Sequence, residues 1–141
     1  MKRSGTSVIT GLVLTSLIAG CGQGVEAPLE EPIRIEETAS GLKALTLTAR
    51  AAERLGIETA EVEDREGEKV VPYASVIYDA EGETWAYVAT EPLSFERAPI
   101  AVESISGDEA VLSDGPAAGT PVVIVGAAEL YGAETGVGGG H

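Results

Sequence analysis

Along this chain, runs of alternating apolar and polar residues are broken every eight to twelve residues by turn-forming clusters, the spacing of a small mainly β domain. KALTLT (residues 43–48) alternates and predicts a strand. TARAAERLGI follows as one short helix. Thr48 is placed to cap its start, Ala51, Ala52 and Leu55 share a face, and Gly56 suits a left-handed C-cap. Residues 57–62 alternate again, as a further strand. Beyond the charged turn EDREGEK, with Gly67 at its bend, come VVPYASVIYD, a turn at AEGE, TWAYVAT and LSFERAPIAVES. ISGDE marks another turn, EAVLS a short strand and DGPAAGT a loop. PVVIVG is a β-branched run suited to a buried strand. Pro72 and Pro99 interrupt their runs and favour edges, bulges or strand starts. The fold expected is a mainly β single domain, barrel-like or sandwich-like, with one short helix, over residues 42–133. That length holds one core and not two.

Both ends read differently. Lys2 and Arg3 precede an apolar run over residues 8–18, too short for a membrane span but right for a secretory segment. The run closes on Ile18-Ala19-Gly20-Cys21, and Cys21 is the only cysteine. The pattern resembles the bacterial lipoprotein box, which implies cleavage after residue 20 and diacylglycerol on the Cys21 thiol. Residues 1–20 are then a signal peptide. A lone cysteine forms no intramolecular disulfide and no multi-cysteine metal site. Residues 21–41, with two prolines and five glutamates, read as a lipidated, flexible tether. Residues 134–141 read as a disordered glycine-rich tail. The localisation expected is the cell envelope, anchored by lipid on the extracytoplasmic, periplasmic side of a membrane.

The formal net charge is −14, and loss of residues 1–20 removes Lys2 and Arg3 and no acid, giving −16. Such a surface repels phosphate backbones, so no nucleic-acid partner is expected. Nothing in the sequence assembles a catalytic site. The one histidine, His141, is the final residue behind three glycines, and no glycine-rich loop is paired with a lysine to cradle phosphate. The clustered acids, Glu61 to Glu68 and Asp79 to Glu83, fall in expected turns and read as solvated charge. No cofactor, no metal and no enzyme activity are expected.

The strands of the second half carry a resemblance. VVPYASVIYDAEGETWAYVATEPLSFERAPIAVESISGDEAVLSDGPAAGTPVVIVGAAEL is similar to the C-terminal segment of periplasmic adaptor subunits of RND-type efflux pumps, the membrane fusion proteins. The matching positions are Val71-Pro72, Ala74, Val76, Gly82, Tyr87-Val88, Phe95 and Arg97. They continue through Ile100, Val102, Leu112, Gly115, Gly119, Val122-Val123, Gly126-Ala127 and Leu130. LTLTARAAERLGIETAEVE resembles the family's opening segment. Full adaptors carry further domains between these segments, whereas only EDREGEK joins them here. The resemblance implies a membrane-proximal domain alone on a tether, docking on an RND-type transporter or a full-length adaptor. The contact surface expected is the β face around Trp85, Tyr87, Phe95 and Arg97, although Trp85 and Tyr87 also suit a core. The second reading is a structural or cation-buffering envelope lipoprotein. Soft-metal delivery is disfavoured, because Met1 is the only methionine and leaves with the signal.

Overall fold

The computed structural model describes residues 30–137. Eleven strands and two helices build a mainly β, sandwich-like domain with antiparallel sheets and no closed barrel. The chain runs β1 (Ile33–Glu37), β2 (Lys43–Leu47), α1 (Ala49–Leu55), β3 (Glu58–Glu61), β4 (Glu63–Arg65) and β5 (Glu68–Pro72). A 3-10 turn at Tyr73–Ser75 leads to β6 (Ile77–Tyr78), β7 (Thr84–Glu91), β8 (Ser94–Pro99) and β9 (Ala101–Ser106). The chain then forms β10 (Glu109–Asp114), β11 (Pro121–Val125) and α2 (Ala127–Thr135). A large sheet has the order β1-β2-β8-β7-β11-β3, with β6 also on β7; a small sheet has the order β4-β5-β10-β9.

Local signals explain most elements. Thr48 accepts a hydrogen bond from the Ala51 amide at the start of α1, and Gly56 closes it with a φ of 63°. Between β4 and β5, Glu66 and Gly67 both have positive φ, 56° and 90°, the two-residue turn whose twist suits a hairpin. The run after Pro72 does not continue as one strand. The proline ends β5, the chain makes its 3-10 turn, and β6 joins the other sheet. Pro99 acts likewise: β8 ends there in the large sheet, Ile100 is buried, and β9 begins in the small one.

Period-two alternation then sets three layers. One face of the large sheet packs on the small sheet through Val62, Val71, Ala86, Ile100, Ala110, Leu112 and Val122. The opposite face is covered by the helices, burying Leu45, Leu47, Tyr87, Phe95 and Val123 beneath Ala51, Ala127 and Leu130. Within PVVIVG the two central valines therefore serve different cores, and Val125 is exposed.

The structure moves both domain boundaries. The expected tether over 21–41 loses residues 33–37 to β1, which pairs along its whole length with β2, from Ile33 opposite Leu47 to Glu37 opposite Lys43. A strand rich in acid survives there because β1 is a sheet edge with four of its five residues exposed. The expected tail from residue 134 is likewise shortened. α2 continues to Thr135 and buries Glu134, so the described residues hold two helices and not one. Residues 1–29 and 138–141, and with them Cys21 and His141, lie outside the described residues.

Candidate functional site

β7 and β8 run antiparallel with Tyr87 opposite Arg97 and Ala89 opposite Phe95, so Trp85, Tyr87, Phe95 and Arg97 all face the helical layer. The sequence placed Trp85 and Tyr87 on one side of a strand, and there they are. It offered that side as a contact surface or as core, and for Tyr87 and Phe95 the structure gives core. Tyr87 is 0% exposed and Phe95 4%. An aromatic ring already enclosed by its own domain offers no area to a partner. Trp85 and Arg97 are partly buried at the rim of the same face.

What covers that face is α2, and its decisive residue is Glu134. Its carboxylate accepts a hydrogen bond from the Tyr87 hydroxyl on one oxygen and from Arg97 Nε, at 2.9 Å, on the other. The Lys43 ammonium donates to the Glu134 carbonyl oxygen at 2.9 Å. The Arg97 guanidinium lies 4.5 Å from the centre of the Trp85 ring and 5.8 Å from that of Tyr131, within cation–π range of both. The Trp85 indole N–H donates to Asp79 Oδ2 at 2.8 Å, while Asp79 Oδ1 accepts the amides of Glu81 and Glu83. Five elements of the chain thus meet in one connected polar network.

Its electrostatics are those of a clamp. Burial, and then the hydrogen bond to the Glu134 carboxylate, push the Tyr87 phenol far above its ordinary value and keep it protonated. Desolvation works against the charged form of Asp79. The indole hydrogen bond, the amides of Glu83 and Glu81, and the Arg97 charge outweigh it and hold the carboxyl below its usual range. Among the described residues no buried side-chain polar atom lacks a partner, and no three metal-ligating side chains converge. A phenol held protonated is a poor base, and a carboxylate with both oxygens engaged is a poor ligand. The network's chemistry is to fasten α2 to the sheet.

Sequence reasoning missed Glu134, although a signal existed. Ala127, Leu130 and Glu134 fall at i, i+3 and i+7, one face of a helix, and those three are buried. Elsewhere the surface is charged. Arg65 reaches Glu109 through two nitrogens, at 2.8 and 2.7 Å, and Glu63 through a third contact at 2.9 Å. Those hydrogen bonds hold the Glu109 carboxyl below its ordinary range. Tyr73 and Tyr78 are exposed, and the neighbouring Tyr73 phenol raises that of Tyr78 above its ordinary value.

No family model, curated protein or solved structure matches the chain.

Proposed function

We propose that this protein is a non-enzymatic envelope lipoprotein, anchored by lipid at Cys21, that docks on a membrane transporter or on a full-length adaptor. The reading rests on the lipoprotein box and on the resemblance of the second half to the membrane-proximal domain of efflux-pump adaptors. The observation that carries it is the Glu66–Gly67 hairpin. The two segments bearing the resemblance are joined there by the short β4–β5 hairpin, and the strand ahead of that hairpin, β3, pairs with β11 near the end of the second segment. Shortening a chain excursion between neighbouring points leaves a core intact, and this geometry supports such a replacement for the domains that full adaptors insert. A non-catalytic role is favoured by the structural use of Tyr87, Arg97 and Glu134.

Intact mass of the protein extracted from bacterial membranes tests the anchor. The expected product begins at Cys21 and carries diacylglycerol, whereas Cys21→Ser accumulates as an uncleaved, unlipidated precursor. A mature wild-type chain with no lipid mass overturns the anchor. Mild crosslinking in native membranes tests docking. Recovery of a transporter or adaptor subunit supports it, and recovery of neither points to a structural or cation-buffering role.

A further inference from the structure

At the tip of the β7–β8 hairpin, Pro92 and Leu93 form a two-residue turn between Glu91 and Ser94. Leu93 has a φ of +64°, in the left-handed region. Following a proline, whose φ is fixed near −65°, that is the type II pattern, in which this position favours glycine or asparagine. Of the ten described residues with positive φ, eight are glycines, and Glu66 sits in a hairpin turn beside Gly67. Leu93 alone holds this backbone with a large apolar side chain, a conformation that Cβ contacts disfavour.

Leu93 is partly buried, yet the two apolar cores do not account for its backbone. Leu93 belongs to neither apolar core and is absent from the partly buried residues that support them. Its structural bond is made by its backbone, whose carbonyl accepts the Leu47 amide at 2.8 Å. The residue instead lines a shallow groove of about 380 Å³ together with Ala52, Ile57, Thr90 and Pro92. That volume is near the small end of ligand pockets and suits one or two side chains better than a cofactor. The one charged residue in its lining is Glu91, which is exposed and makes no ion pair among the described residues.

We infer that this groove is a docking site for a protein partner that inserts an aliphatic side chain flanked by a basic residue. The aliphatic group packs on Leu93 and Ile57, and the basic group meets Glu91. Complementarity argues for that chemistry, since an acidic partner segment would meet both Glu91 and a chain of net charge −14. Backbone strain kept where the core gains nothing is the mark of a side chain held for contact. The inference goes beyond the proposed function and does not depend on Cys21 carrying lipid.

The test uses the full chain, isotopically labelled, and three capped pentapeptides: one with leucine between two lysines, one with glutamates replacing the lysines, and one with serine replacing the leucine. Saturable amide shifts at residues 57 and 89–95 are expected with the lysine–leucine peptide only. Leu93→Gly should weaken binding by about tenfold or more while leaving the melting temperature unchanged or higher, because glycine accepts the same φ and the Leu47 bond is retained. Glu91→Lys should shift preference to the glutamate peptide. No saturable shift with the lysine–leucine peptide, or equal binding of all three, overturns the proposal. So does a Leu93→Gly variant that melts lower and binds as before, since Leu93 would then be structural.

Discussion

On the face of the large sheet that meets β5 and β10, the buried side chains are aliphatic and mostly small, Val62, Val71, Ala86, Ala110 and Val122 with Ile100 and Leu112. On the other face they are large, Tyr87 and Phe95 among leucines, and a carboxylate is enclosed with them. The contrast follows from what each face meets. A second sheet presents a flat, pleated surface that short side chains fill at close approach. Helices stand over a sheet as separate rods, leaving spaces that aromatic rings fill, and α2 brings Glu134 into one such space. The inter-sheet face is held by area removed from water. The helical face depends as well on one charge keeping its partners, a distinction that mutation can break.

The largest effect is expected at Arg97→Met, which keeps the aliphatic stem and removes the charge facing Glu134. Breaking one side of a buried pair typically destabilises by about 3–5 kcal/mol, and the lower end is expected here because the Arg97 side chain remains 17% exposed. Adding Glu134→Leu should recover most of that loss in denaturant melts. A loss below about 1 kcal/mol, the value of a solvated pair, would show that the two faces do not differ in kind.

Next comes Tyr87→Phe, which leaves one Glu134 oxygen without its donor and should lower stability by about 1–3 kcal/mol. It also carries a pH dependence. The folded Tyr87 phenol titrates far above the ordinary value of 10.0, so its contribution is complete below that value. As pH rises past 10, the unfolded chain releases the proton while the folded one keeps it, and stability falls. Wild type should therefore lose melting temperature more steeply than Tyr87→Phe above pH 10. Equal slopes would place another group in control. The smallest effect is expected on the inter-sheet face, where Ile100→Val removes one methylene at the crossing from β8 to β9 and should cost about 0.5–1.5 kcal/mol. A larger loss than that of Tyr87→Phe would reverse the ranking of the two faces.

Legibility varied along the chain for physical reasons. Turns at Gly67, Gly82 and Gly107 were readable because each requires a positive φ that glycine adopts freely. The caps of α1 were readable because they join residues within one turn of helix. β1 was read as tether because two isoleucines among acids give little alternation. Its order comes from pairing with β2, and only the paired partner reveals it. The choice between core and contact surface at Trp85 and Tyr87 was not legible, because their alternation says that they share a face and nothing about what covers it.

The sequence by itself determined the mainly β character, α1 with both caps, the turn at Gly67, and the breaks at Pro72 and Pro99. All are set by φ preferences and by periods of a few residues. Only the tertiary structure decided that the run interrupted at Pro99 serves two sheets, that Tyr87 lies under a helix, and that Glu134 fastens that helix. Tyr87 and Glu134 are 47 residues apart in sequence and share one hydrogen bond in space. Local periodicity marks which side of an element is apolar, but the element that comes to cover it is chosen by the packing of the whole chain.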